Sequence, residues 1–163
     1  MNRSEEITVR LANKDDLDAI AWIYGESFDT DQARRDVAQY LQPEGTWALL
    51  AMMGDVRAMT PAGFVMARTV LDETEIFSIG VTALYRRRGV GETLMEATRR
   101  IAALNGTRNI FLEVGVDNPH ARALYIKSGY SIVGRRPDYY RRKDGRLVEA
   151  LVLRLSLEQD SPP

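Results

Sequence analysis

The chain has 163 residues, 45% of them apolar, enough for one core and a single domain over 1–163, with a polar tail from about 157. It contains no cysteine and one histidine, His120, so a disulfide framework, a thiolate or multi-histidine metal site and a cysteine nucleophile are all excluded. A net charge of −1 with scattered basic residues speaks against a nucleic-acid partner, no run is apolar for long enough to cross a membrane, and the N-terminus is polar and acidic, so the expected location is the cytoplasm.

Ile7-Thr8-Val9-Arg10 reads as a first strand. Asp15-Asp16 opens a helix with Leu17, Ile20, Ala21 and Tyr24 on one face, and Ser27 to Thr30 breaks it. Gln32 to Leu41 forms a second helix, closed by Pro43 and Gly45. Thr46 to Met53 is a strand and Gly54 to Thr60 a hairpin-type loop. Ala62 to Leu71 and Glu75 to Val81 are two more strands, joined at Asp72-Glu73. After Gly89, the residues Val90, Leu94, Ala97, Ile101 and Leu104 recur at helical spacing until Asn105-Gly106. Asn109 to Val116 is largely apolar and is predicted to be buried on both faces. Asn118 caps a short helix that ends near Lys127, with His120 exposed in its first turn. Tyr130 to Gly134 and Leu147 to Leu155 are the last strands, and Ser161-Pro162-Pro163 is a frayed tail. The fold class is α/β, with no repeat and no linker.

The run Arg86-Arg87-Arg88-Gly89-Val90-Gly91 lies between a strand and an amphipathic helix. Two glycines let the backbone turn its N–H groups toward one point, and a helix N-terminus adds a positive dipole end with unpaired donors. With three arginines, the loop predicts a phosphate site, best suited to a pyrophosphate. The plainer reading is a basic turn that only caps a helix. A P-loop needs Lys-Ser/Thr after its last glycine, where this chain has Glu92-Thr93. A dinucleotide fingerprint needs a small residue where Leu94 stands.

The spacing Arg86-x-x-Gly89-x-Gly91, behind Ser78-Ile79-Gly80-Val81 and ahead of Leu94, resembles the acetyl-CoA pyrophosphate loop of the GNAT N-acetyltransferases. Leu112-Glu113-Val114, then Asn118, Ala121, Ala123-Leu124-Tyr125 and Ser128-Gly129-Tyr130 look like that family's second acyl-CoA-binding motif. Gly134-Arg135-Arg136-Pro137-Asp138-Tyr139-Tyr140, a turn followed by Asp144-Gly145 and an apolar strand, looks like the RimI branch. That branch acetylates the N-terminal alanine of a small-subunit ribosomal protein. The likeness runs from about Thr74 to Leu155. It implies an α/β (α+β) GNAT fold: a mixed, mostly antiparallel sheet of six to seven strands with about four helices. Two parallel strands, Glu75–Val81 and Asn109–Val116, would splay apart to admit the pantetheine arm of acetyl-CoA.

The resemblance also implies roles. Glu113, the only carboxylate in its apolar strand, would be the general base, directly or through a water; otherwise it faces solvent or partners an arginine. Tyr125, twelve residues on, would be the general acid, or a core aromatic, or both. Ile79, Gly80 and Val81 would line the thioester end, with the Val81 N–H on its carbonyl. Arg86, Arg87, Arg88, Gly89, Val90, Gly91 and Glu92 would surround the pyrophosphate, and Asn118, Ala121 and Tyr125 the rest of the cofactor. Arg136, Tyr139 and Tyr140 would line the acceptor side, with Phe28, Asp29 and Asp31 opposite. Residues 1–60 carry 6 basic and 11 acidic side chains, which suits a cationic acceptor: a protein N-terminus, or a small amine such as a polyamine or antibiotic. The Pro-Trp near a serine that the RimI branch usually carries in the first helices is missing; the chain reads Ser27-Phe28-Asp29-Thr30-Asp31 there. The expected assembly is a monomer or weak homodimer with acetyl-CoA as cosubstrate and no metal; a non-catalytic acetyl-CoA sensor is the remaining class.

Overall fold

The computed structural model describes residues 5–157; the proposed frayed tail at Ser161-Pro162-Pro163 lies outside them. In chain order the elements are β1 (Glu6–Leu11), α1 (Leu17–Phe28), α2 (Ala33–Leu41), β2 (Thr46–Asp55), β3 (Ala58–Val70), β4 (Glu73–Val81), α3 (Val90–Leu104), β5 (Asn109–Gly115), α4 (Pro119–Lys127), β6 (Ser131–Arg141) and β7 (Leu147–Ser156). They build a seven-stranded sheet in the order β1-β2-β3-β4-β5-β7-β6. Every neighbouring pair is antiparallel except β4 with β5. This is the mixed, mostly antiparallel sheet with four helices that the resemblance implies.

Strand alternation sends side chains to two separate cores. Leu49, Ala51, Val65, Ala67, Ile110, Leu112, Leu151 and Leu153 face α3 and α4, where Leu94, Met95 and Tyr125 meet them. Ala48, Leu50, Phe64 and Met66 face α1 and α2, against Ile20, Ile23 and Val37. The second core lies over β2 and β3, and no member of it comes from β5 or β7. On that side β5 is therefore only half-buried at Phe111 and Glu113, and the expectation of burial on both faces is corrected.

Three local expectations also change. Gly54–Thr60 is not a loop: β2 runs to Asp55, β3 starts at Ala58, and Asp55 Oδ1 accepts from Arg57 N at 2.8 Å across the turn. Pro61 is tolerated inside β3 because the β2–β3 register slips beside it, between Ala51 and Met52. The buried face of α3 is Val90, Leu94, Met95, Thr98 and Ala102, whereas Leu104 is 82% exposed. Finally, Arg136–Tyr140 is not a turn. It lies within β6, whose pairing with β7 skips from Arg136 to Tyr140, and the hairpin closes beyond Arg141.

The entry to α1 is fixed by charge. Asp16 accepts from Arg10 Nη1 at 2.6 Å, Arg10 Nη2 at 2.8 Å and the Asn13 N–H at 2.8 Å, which ties β1 to the start of the helix. The Arg10 guanidinium, more than the Asn13 N–H, holds the Asp16 carboxyl down to about 2. A depressed carboxyl stabilises the folded state above its unfolded value near 4 and loses that contribution as pH falls through about 2. Asp16→Asn is expected to lower Tm by roughly 2–6 °C at neutral pH. The gap should shrink steadily below about pH 4, which thermal melts at several pH values will read.

Candidate active site

The site begins with a fork in the sheet. β4 and β5 pair in parallel from Glu73↔Asn109 to Ile76↔Leu112, and the pairing stops there. Both strands continue, β4 to Val81 and β5 to Gly115. On its other edge β4 slips register against β3, from Ala67↔Ile76 to Met66↔Ser78, so Phe77 is an extra residue. Such a bulge bends its strand and increases the twist, here at the residue where β4 leaves β5. The ring of Phe77 stacks on Tyr40 of α2 at 5.9 Å, which holds the bulge down.

Past the fork, β4 has an unpaired edge. The Thr82 N–H donates to Ala62 O at 2.9 Å, so by alternation the amides of Ile79 and Val81 point away from β3 and into the gap. The amide of Gly80 points toward β3 instead. Its missing side chain makes room for α1: a Cβ there would lie 2.6 Å from Phe64 and 2.8 Å from Ser27 Oγ. Glu26, one residue earlier on α1, accepts from the Ala83 N–H at 2.7 Å and pins the helix to the end of β4.

The arginine-glycine loop follows at the mouth of the gap. Arg87 and Gly89 have left-handed φ values of 60° and 86°, which curl the chain into α3. The first helical bond runs from Thr93 N to Gly89 O at 3.0 Å. Among the described residues, the N–H groups of 87–92 make no hydrogen bond, so they form a free donor cradle at a helix N-terminus. Gly91 serves packing as well, since a Cβ there would meet Leu124 of α4 at 3.1 Å. The arginines divide their work. Arg86 Nε donates to Val81 O at 3.2 Å, while Arg88 bonds Glu5 at 2.7 Å and covers the Tyr85 ring. Glu92 faces Lys127 of α4 at 3.5 Å.

On the far branch, Asn118 caps α4 by accepting from the Ala121 N–H at 3.2 Å. Tyr125, one turn before the end of α4, is 6% exposed and lies 6.3 Å from the ring of Tyr130. Burial pushes its phenol well up, so it keeps its proton. Desolvation also pushes Tyr140 up, to about 12, with Glu113 adding to it. Gly115 at the end of β5 leaves space for the guanidinium of Arg142, which clamps Asp117 at 2.6 and 2.8 Å and covers the Tyr140 ring.

Glu113 is the first residue of β5 beyond the last paired position, Leu112. Its side chain is 19% exposed and meets Arg136 Nε at 2.7 Å. Tyr139 hydrogen-bonds it too, which is the first cause of the raised Tyr139 phenol. The carboxylate therefore stands in a groove of about 420 Å³ with Arg136, Glu75, Phe111 and Arg68, on the sheet face that α1 and α2 leave open. Lys143, beyond β6, donates to Asp29 at 2.6 Å and so ties the β6–β7 hairpin to the end of α1. Asp29 ends α1 with a left-handed φ of 48°. Of the acidic residues expected to receive a cationic acceptor, Asp29 is thus already paired, while Asp31 is exposed. Phe28 is half exposed and packs on Tyr24 at 4.7 Å.

Ile79 and Val81 lie on β4 past the fork and Glu113 on β5 beside it, with Arg136 against Glu113, whereas Tyr125 is buried in the core under α3 and α4. Sequence reasoning passed over Glu75, Glu26 and the Asp29–Lys143 pair. Glu75 was within reach, because Glu73 and Glu75 alternate with Thr74 and Ile76 along a strand. The Asp29–Lys143 pair spans 114 residues and leaves no local signal.

A sheet forked at a parallel pair, with a free amide cradle at the following helix, matches a known family. Residues 14–130 fit the model of the acetyltransferase (GNAT) family, and the chain belongs to it. It is 34% identical over 96 residues to the [ribosomal protein bS18]-alanine N-acetyltransferase of Escherichia coli K12, a match covering 59% of this chain and 64% of that one. The crystal structure of the ribosomal-protein-S18-alanine N-acetyltransferase from Escherichia coli superposes with a TM-score of 0.81 at 26% identity, covering 96% of this chain and 97% of that one. Arabidopsis thaliana NAA60 in complex with acetyl-CoA shares the fold, with a TM-score of 0.79 at 19% identity over 93% of this chain and 99% of that one. Among the described residues no helix is long and apolar enough to cross a membrane.

Proposed function

We propose that this protein moves an acetyl group from acetyl-CoA to the α-amine of a protein N-terminus that begins with alanine, as on a ribosomal protein. The observation that carries the reading is the fork, which sets Glu113 and the unpaired amides of β4 on opposite sides of one gap. The acceptor reading draws its support from the 34% identity to a bS18-alanine N-acetyltransferase.

The residues present fit the cosubstrate. The free N–H groups of 87–92 offer a pyrophosphate several donors at a helix N-terminus, with arginine charge around them. The outward amides of Ile79 and Val81 offer an extended arm the hydrogen bonds a neighbouring strand would make, and Asn118 and Ala121 bound the other side. Acetyl-CoA supplies the activated thioester, so no protein nucleophile is needed. Glu113 takes a proton from the acceptor ammonium, directly or through a water. The Val81 N–H holds the acyl oxygen as negative charge develops on it. Tyr125, kept protonated by burial, gives its phenolic proton to the departing sulfur. Arg136, Tyr139 and Tyr140 form one wall of the acceptor groove and Phe28, Asp29 and Asp31 the rim opposite.

CoA is expected to raise Tm, because it binds only the folded state. Gly91→Asp should abolish that shift, whereas Gly91→Ala, which brings the same Cβ against Leu124, should retain it. Loss of the shift in both variants would mean that packing, not phosphate binding, is at stake.

Glu113→Gln and Tyr125→Phe should each lower kcat by roughly 10²–10⁴-fold and leave the CoA-induced Tm shift in place. Turnover near that of the unmodified protein in either variant removes that residue from the proton path.

For the acceptor, a peptide beginning with alanine and followed by basic residues should be acetylated at its α-amine, whose pKa near 8 lies well below the 10.4 or so of a lysine side chain. With acidic side chains along α1 and α2, KM should rise with salt. Mass spectrometry locates the acetyl group; modification of lysine alone, or activity confined to polyamines and other small amines, rejects the N-terminal reading.

A further inference from the structure

Glu113 is not a free base in this structure. Arg136 Nε lies 2.7 Å from its carboxylate, and a guanidinium so placed opposes the approach of an ammonium. An acceptor ammonium that approaches Glu113 on the side of Oε1 competes with this cation. The groove shows where it goes. Glu75 lies on β4 opposite Phe111, on the same open face, and Phe111 and Glu113 project to that face as alternate residues of β5. Glu75, Glu113 and Arg136 line one cavity. Unlike Glu113, Glu75 has no salt bridge or side-chain hydrogen bond among the described residues, while Arg136 is 57% exposed. Arg68, opposite Glu75 on β3, donates its Nε to the Glu44 carbonyl at 2.9 Å. Two carboxylates thus line one cavity with the Arg136 guanidinium, which is ion-paired to Glu113.

We propose that Glu75 is a positioning residue: it receives Arg136 when the acceptor ammonium arrives, and thereby frees Glu113 to accept the proton. The inference rests on Glu113 as base. The carboxyl of Glu75 is raised by desolvation first and by the nearby Glu113 charge second, and is lowered in part by Arg136 and Arg68. When the ammonium enters, two carboxylates and two cations are present, and each carboxylate then has a cation of its own. The ammonium takes the place of the guanidinium on Glu113, and the guanidinium neutralises Glu75. Arg136 has room for this because β6 loses its pairing with β7 between Arg136 and Tyr140, so the side chain stands at the edge of an irregular segment. The face of Tyr139, 5.4 Å from the guanidinium, offers a path along which the cation stays partly stabilised.

The test is a double-mutant cycle on acetyl transfer to an alanine-first peptide, with the CoA-induced Tm shift as the check on folding. Glu75→Gln keeps the shape and removes the seat, and should lower kcat by about tenfold. Glu75→Asp keeps the charge and should restore most of the rate. In an Arg136→Gln background nothing needs to be moved, so Glu75→Gln should cost less than about twofold. Equal costs in the two backgrounds, no cost in either, or an Arg136→Gln variant without any turnover would each overturn the proposal. Glu113→Gln separates the two levels. If it keeps turnover, the base assignment has failed; if it is inactive while the Glu75 and Arg136 effects simply add, only the exchange of Arg136 has failed.

Discussion

A parallel pair of strands that stops pairing halfway is the constraint from which the rest of this molecule follows. Backbone N–H and C=O groups inside a protein need partners, and a sheet normally provides them on both edges. Beyond Ile76 and Leu112, β4 and β5 withdraw that provision from each other while their outer edges remain paired to β3 and β7. The gap is held open rather than left to collapse. The bulge at Phe77 bends β4, the stack on Tyr40 anchors the bulge, and the Glu26 carboxylate ties α1 to the end of the strand. A chain with its own hydrogen-bonding groups is the natural occupant of such a gap.

Small residues place the anion cradle at the mouth of the fork. A Cβ on Gly63 would come within 2.8 Å of the Gly80 carbonyl and 3.1 Å of Val90, so its absence allows the first turn of α3 to rest directly on the sheet. Gly91 does the same between α3 and α4. The donors of 87–92 are therefore fixed by packing on two sides before any ligand arrives. Such preorganisation spares the loop most of the ordering cost of binding.

What could be read in the sequence was local chemistry. Asn118 before Pro119 is a helix cap in any context, and it caps α4 here. The glycines after three arginines predicted a tight turn into a helix, and Gly89 makes it with a φ of 86°. The family motifs supplied the parallel pair and the order of elements. What could not be read was set by distant contacts. The length of β6 depends on β7, so a run holding Pro137, Asp138 and two tyrosines looked like a turn and is an irregular strand. An arginine partner for Glu113 is among the sequence alternatives and is found, but nothing local shows that it would be Arg136, 23 positions later. Leu104 fitted the helical period yet faces solvent, because the sheet below α3 ends before it. Asp29 counted as a free acidic residue until the fold brought Lys143 to it.

The irregularity of β6 also bears on how copies of this chain treat one another in a crowded solution. β6 is an outer strand of the sheet, and an outer strand with a regular row of free amides invites another chain to continue it. Here the row is broken twice, between Ile132 and Gly134 and between Arg136 and Tyr140. Pro137 contributes no N–H, Asp138 turns the backbone left-handed at φ 52°, and Arg135, Arg136 and Arg141 bring like charges to the rim. The same few residues that are proposed to line the acceptor side thus make this border a poor template for strand addition. Any change that straightened the wall to suit a new acceptor would also hand the molecule a border on which aggregates can grow.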